Sequence, residues 1–256
     1  MKNRPWILGE TTLRMYRREP MEVAVLPMGA TEPHNLHLPI GTDYIDVSAI
    51  AERACEIAWK RGGRAKSLPA VAFGTNSNFL GFPGFIHLNP TTHLAILRDV
   101  VWSLESYGVR KLVILNGHGG NNFQPFLREL WPTTKVFISL INWWTVEPEL
   151  SAKLFTNPGE HGDEMETSVA MHVCPDLVNF KDADAGAVRR PRLKGLQDGW
   201  VTYTRPWKRL TTNTGYGDPK LASAGKGKKL FDAVTQKIGG YLLELATAKE
   251  DAKFPF

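Results

Sequence analysis

The chain of 256 residues has two cysteines, Cys55 and Cys174. They form no CxxC pair and stand in no histidine motif, which removes a disulfide framework and a thiolate metal site; two buried small apolar residues are expected instead. No apolar run approaches the ~20 residues of a membrane span. The first ten residues, MKNRPWILGE, hold no apolar signal core, so the expectation is a cytoplasmic protein with no membrane partner. No Gly-x-Ser-x-Gly elbow offers a serine nucleophile. Neither sign of charge dominates: 31 Lys+Arg against 26 Asp+Glu leave a mild positive excess of +5.

What is present is ordinary for a soluble globular protein. Hydrophobic residues make up 43% and charged residues 22%, which excludes a disordered chain, a coiled coil and a collagen-like repeat. A chain of this length buries roughly 70–75% of its unfolded surface, so it needs no metal or disulfide merely to hold a core.

The order of elements reads as α/β. EVAVLPM (22–28) is a strand that runs into Gly29. Apolar residues at helical spacing follow over 44–61, stopped by Gly62 and Gly63. Residues 67–73 form a second strand candidate, and 74–90 a long loop. A helix capped by Thr91 or Thr92 leads to Gly108. KLVIL (111–115) and KVFISLI (135–141) are compact apolar strands of the kind buried in a parallel sheet, with a short helix at 125–131 between them. A helix over 164–173 ends before Pro175. Residues 181–219 are polar, basic and rich in Gly and Pro. A long helix over 221–248 closes the chain, weakened by Gly225, Gly227, Gly239 and Gly240. Strands alternating with helices imply a mostly parallel sheet covered on both faces, in a single domain over 1–256. Sites in such folds lie beyond the carboxyl ends of the strands. That rule directs attention to the segments just after Met28, Phe73, Leu115 and Ile141.

Three clusters there carry chemistry. Glu32, His34, His37 and Asp43 crowd the loop after the first strand. In an extended segment Glu32 and His34 project to one side, and the loop returns Asp43 just before a helix. This set of oxygen and imidazole donors suits Zn, Mn, Fe or a similar divalent ion. After KLVIL comes NGHGGNN (116–122), with His118 flanked by glycines that permit close approach. The same loop could cradle a phosphate, but it lacks the P-loop and GxGxxG patterns. The third cluster is HGDEMETS (161–168). Acidic residues suit a helix N-terminus, which accounts for Asp163 and Glu164 but not for His161. Glu164 and Glu166 lie on different faces, so at most one points into a site. Together the clusters offer three carboxylates and two imidazoles for one or two dications. Asp43 could bridge two of them ~3.5–4 Å apart, where a water between them would be acidified into a nucleophile.

These motifs resemble the creatininase (creatinine amidohydrolase) family. Gly29, Glu32, His34, His37, Leu38, Pro39 and Asp43 fit its first signature. Asn116, Gly117, His118 and Asn121 fit the second. His161, Asp163, Glu166, Thr167 and Ser168 fit the third, with its glycine shifted to Gly162. Gly217, Asp218, Pro219 and Ala222 resemble a late signature. The resemblance implies a three-layer α/β/α sandwich and commonly a hexamer. It implies metal ligands at Glu32, His34, Asp43 and His118, with Asp43 bridging and Glu166 as fifth ligand or immediate neighbour. His161 would transfer a proton or orient substrate, and His37 would steer a ligand by hydrogen bond. Trp143 and Trp144 would wall the pocket or simply pack. Pro33 and Asn35 replace the usual Gln and Gly, and Gly120 stands where creatininase itself has a metal-binding Glu. The chain is thus similar to a divergent member, and Glu166 completes the site.

The expected activity is a hydrolase with two divalent ions, Zn and/or Mn with Fe as an option, acting on a cyclic or linear amide. The alternative, also found in the family, is C–C cleavage that opens a cyclic keto-inositol or related keto-sugar. A third reading is non-catalytic. Arg189, Arg190, Arg192, Lys194, Arg205, Lys208 and Arg209 face only Asp198 nearby, with Trp200, Tyr203 and Trp207 interleaved. Such a segment could hold an anion or single-stranded nucleic acid. A solvated loop or a subunit contact explains it more simply, so a small-molecule substrate and a homo-oligomer are expected, and no nucleic acid.

Overall fold

The structure is a computed structural model that describes residues 4–157 and 159–256; residues 1–3 of the MKNRPWILGE stretch and Pro158 lie outside the described residues. The sheet has four parallel strands: β1 (Val23–Met28), β2 (Ala65–Ser67), β3 (Lys111–Asn116) and β4 (Phe137–Asn142), in the spatial order β2-β1-β3-β4. Helices α1 (Leu13–Arg18), α2 (Thr42–Lys60), α3 (Pro90–Ser106), α4 (Gln124–Leu130), α5 (Pro148–Leu154), α6 (Glu164–Val173), α7 (Lys194–Gln197), α8 (Trp207–Leu210) and α9 (Ala224–Thr247) complete it.

The central strands are apolar on both faces, and each face has its own core. Val23, Val25, Val113 and Leu115 pack with Val47 and Ile50 of α2, Val169 of α6 and Leu230 of α9. The alternate residues Ala24, Leu26, Leu112 and Ile114 pack with Leu94, Leu97 and Val101 of α3 and Leu130 of α4. This is why KLVIL reads as one continuous apolar run: the pleat sends successive residues to opposite layers, and both layers are helical. The result is a three-layer α/β/α sandwich. Among the described residues no helix is long and apolar enough to cross a membrane.

Four expectations need correction. The second strand spans only Ala65–Ser67: Leu68 N still donates to Val25 O at 2.8 Å, but the next donor to β1 is Val71 N, to Pro27 O at 3.0 Å, so the chain takes one residue more than β1 over this stretch and the regular ladder breaks. Helix α3 begins earlier than a Thr91 or Thr92 cap allows: Asn89 is the N-cap and Pro90 opens the first turn. Cys55 is buried in the core, but Cys174 is half-buried, since it closes α6 at the rim of the layer. The glycines of α9 are not simply weak points. A Cβ at Gly227 would stand 1.8 Å from Ser168 O, and one at Gly239 would stand 2.8 Å from Ile57 Cβ. Both let α9 lie directly against α6 and α2.

The register aligns the strand ends. Met28, Asn116 and Asn142 form one row across β1, β3 and β4. Asn116 Nδ2 donates to Asn142 Oδ1 at 3.0 Å and ties that rim together. The 29–41 loop, the 117–123 loop and the start of α6 all converge beyond it.

Candidate active site

Asp43 lies in the first turn of α2 and faces the two other clusters at once. Its Oδ1 is 3.0 Å from His34 Nε2, and its Oδ2 is 3.0 Å from His118 Nδ1. Glu32 Oε1 is 3.2 Å from His118 Nδ1, and Glu166 Oε2 is 3.9 Å from His34 Nε2. Donor atoms within 4.8 Å of one another form three groups: Glu32, Asp43 and His118; His34, Asp43 and Glu166; and Glu32, His34 and His161. The first two share Asp43 through different carboxylate oxygens. All five expected ligands are therefore brought together, and Glu32, His34, Asp43 and His118 are buried.

The outward side of each ring is held by a main-chain carbonyl. His34 Nδ1 meets Glu32 O at 3.0 Å, His118 Nε2 meets Thr75 O at 3.4 Å, and His161 Nε2 meets Pro33 O at 2.9 Å. An imidazole whose outer N–H is donated to a carbonyl turns its other nitrogen inward as a ligand or proton acceptor. Three buried carboxylate oxygens, Glu32 Oε2, Asp43 Oδ2 and Asp46 Oδ1, take no hydrogen bond from a described residue, and the first two belong to the donor groups. Asp43 Oδ2 nonetheless stands 3.0 Å from His118 Nδ1. Oxygen and imidazole donors converging with orphaned buried lone pairs fit a divalent cation.

The electrostatics agree. Burial works against charge on both imidazoles, but the surrounding carboxylates outweigh it. Asp43, Glu166 and Glu32 raise His34 to about 10, and Glu32 and Asp43 hold His118 well above its ordinary value. Burial raises Glu166 to about 8, despite the nearby His34. Asp43 is also penalised by burial, yet His34 and His118 keep it below the usual carboxylate range. His161 goes the other way: burial, and then the neighbouring His34, hold it well below 6.5, so it is neutral.

The structure separates Glu164 from Glu166. Asp163 caps α6 by accepting from Met165 N and Glu166 N. That start turns Glu166 toward His34, where it also accepts from Gly162 N at 2.6 Å. Glu164 turns away. It accepts from Thr156 N and Asn157 N and pairs with Lys226 of α9. His37 joins none of the donor groups; its Nε2 meets Thr167 Oγ1 at 2.8 Å and fastens the 29–41 loop to α6.

The donors floor a pocket of about 400 Å³ walled by Phe79, Trp143, Trp144, Arg205 and Trp207. Trp143 and Trp144 thus line it, while Trp143 also belongs to the core. Phe79 and Trp207 stack at 4.8 Å, and the Trp207 ring meets His161 edge-on, also at 4.8 Å. Phe79, Glu160, Arg205 and Trp207 escaped the sequence reading. The last two lay within the basic segment, and nothing in its spacing tells a pocket wall from a solvated loop.

Residues 10–242 match the model of the Creatininase family, described as creatinine amidohydrolase. The chain belongs to the creatininase family. It is a hydrolase by that membership. A solved structure from Bacteroides fragilis, provisionally named a creatinine amidohydrolase, is 36% identical, covers 97% of this chain and 99% of its own, and superposes with a TM-score of 0.89. The mycofactocin precursor peptide peptidase of Mycolicibacterium smegmatis is 28% identical over 88% of this chain and 85% of its own length. The creatinine amidohydrolase of Pseudomonas putida is 28% identical over 68% of this chain and 74% of its own. Solved creatininases at 25% identity include one named for Mn and one named for a Zn-Zn pair, with TM-scores of 0.78 and 0.77 and coverage of 95% and 94% of this chain and 99% and 98% of theirs.

Gly120 is a position of close approach. A Cβ there would lie 2.3 Å from His118 Nε2 and 2.6 Å from Thr75 O. A side chain at this position would have to displace the His118–Thr75 contact; the carboxylate grouped with His34 and Asp43 is Glu166 of α6.

Proposed function

We propose that this chain is a two-metal hydrolase of amide bonds. One observation carries the reading: Asp43 presents one oxygen to each of two donor sets. Glu32 and His118 with Asp43 would hold one ion; His34 and Glu166 with Asp43 would hold the other. Zn or Mn, with Fe as an option, fits donors of this type. When bound, such a pair polarises a carbonyl and lowers the pKa of water.

The chain's own residues do the rest. Phe79, Trp143 and Trp207 exclude bulk water and hold the amide against the carboxylate floor. Neutral His161 has its Nε2–H committed to Pro33 O, so its Nδ1 accepts the proton released as water adds to the carbonyl. His161 then returns that proton to the departing nitrogen. Trp207 against its ring fixes the orientation this exchange needs. Thr167 holds His37, which keeps the 29–41 loop on α6 so that Glu32 and His34 stay aimed. The reading includes a small-molecule substrate, a cytoplasmic homo-oligomer, hexameric by resemblance, and a single domain over 1–256. The family match over residues 10–242 supports the last of these.

The test is amide hydrolysis by protein stripped with a chelator and reloaded. Loss of activity on stripping and its return with Zn or Mn is expected. Full activity in the stripped protein refutes the reading. The mass of the products checks the bond: amide cleavage releases an amine, whereas ring opening at a C–C bond only adds water.

A further inference from the structure

A second cavity of about 360 Å³ adjoins the first, and the two share Glu160 and Arg205. Its walls carry Arg189, Arg190, Gln197 and Tyr203 besides the shared pair. Three arginines therefore face one carboxylate, and Glu160 is the sole acid among the described residues that line it. The Arg205 Nη1 to Glu160 Oε2 distance is 2.6 Å. The guanidinium carbon lies 5.8 Å from the ring centres of both Trp207 and Tyr216. Its remaining N–H groups make no hydrogen bond to a described residue.

The strap that carries Arg205 is anchored on both sides. Arg189 N donates to Leu210 O at 2.8 Å, and Trp207 is stacked on Phe79 at the active site. The basic segment thus places a cation in the wall shared by the two cavities.

Resting on the two-metal reading above, we propose that the substrate is an amide bearing a carboxylate at the end away from the bond cleaved, and that Arg205 binds it with Arg189 and Arg190 behind. Glu160 already shows the chemistry, for it presents a carboxylate to the same guanidinium. Both partners are partly exposed, at 35% and 48%, and a pair of that kind adds little to stability. It exchanges readily for a substrate carboxylate that can take two parallel N–H groups from the planar fork. The arginines also outnumber Glu160, so the second cavity keeps a net attraction for an anion after the exchange.

Calorimetric titration of the zinc-loaded full chain tests this without relying on turnover. The probes are monohydroxamates of linear dicarboxylic acids of increasing length, each paired with the compound whose free carboxylate is replaced by a primary amide. The hydroxamate end seeks the metals, and the other end samples the second cavity. At the fitting length the carboxylate form should bind about tenfold tighter or better. Arg205→Gln should erase that advantage at unchanged zinc content, and Glu160→Gln should enlarge it. If Arg205→Gln does not fold, the Glu160→Gln result decides alone. Equal binding of both forms at every length overturns the proposal but leaves the metal site standing, and so does an advantage that survives Arg205→Gln. If no hydroxamate binds at all, the two-metal reading itself fails and this inference falls with it.

Discussion

Gly120 leaves His118 its place: a Cβ on the glycine would lie 2.3 Å from the imidazole Nε2 that meets Thr75 O. The neighbouring Gly119 has nothing within 4 Å of its own Cβ position. The two glycines therefore make a controlled pair. Gly120→Ala should push His118 off its carbonyl and weaken metal binding by about 10–100-fold. Gly119→Ala should leave it within a few-fold of wild type. Competition with a fluorescent zinc chelator measures both; equal affinity in the two variants would refute the steric account.

Glu164 and Glu166 should separate just as cleanly. Glu166→Gln should lose hydrolysis and part of the metal while the fold keeps its stability. Glu164→Gln should keep the metal but cost about 1–3 kcal/mol in urea unfolding, because Lys226, Thr156 N and Asn157 N lose a buried ionised partner. The sign of its pH dependence can be worked out. Burial would raise the Glu164 carboxyl, but Lys226 and the two N–H groups outweigh it and lower it. The stabilisation is therefore present above the ordinary carboxylate value of about 4.3 and is lost as pH falls through the lowered native one. The gap between wild type and Glu164→Gln should close in acid. A gap that stays constant from neutral pH down through that range would contradict it.

Adjacent glycines on α9 give a stability test independent of the site. Gly240 has open space around a Cβ, so Gly240→Ala should stabilise by about 0.5–1 kcal/mol through helix propensity. Gly239 lies against Ile57 and Ala54 O, so Gly239→Ala should destabilise by about 1–3 kcal/mol. Thermal unfolding of the two variants reads opposite signs; the same sign for both would mean that α9 does not pack on α2 as described.

His161 is assigned to proton transfer rather than to holding metal. His161→Gln should lower kcat by about 10²–10⁴-fold while metal content stays near wild type. Comparable loss of bound metal would make it a ligand of the third donor group instead.

Much of the site was legible in the sequence because each cluster is local. Glu32 and His34 alternate in an extended loop, Asp43 opens a helix, and His118 comes after a strand that both cores bury. Topology alone then gathers them at aligned strand ends. The residues alone left Glu164 and Glu166 open, since the choice depends on the Asp163 cap that sets where α6 begins; only the family resemblance singled out Glu166. The early end of β2 was not legible either, since the extra residue between Leu68 and Val71 that breaks the ladder leaves the apolar pattern unchanged. Arg205 and Trp207 were visible only as basic and aromatic residues in an irregular segment. Trp207 comes beside His161 through tertiary packing on Phe79, and Arg205 reaches the pocket wall with it, which no periodicity encodes.

Asp43 would join two ions, and elemental analysis of metal per chain decides whether it does. Wild-type protein purified with ample zinc or manganese should carry about two ions per chain, and Asp43→Ala, folded by circular dichroism, should carry close to none. One ion or none in the wild type, or two retained without the Asp43 carboxylate, would contradict the account.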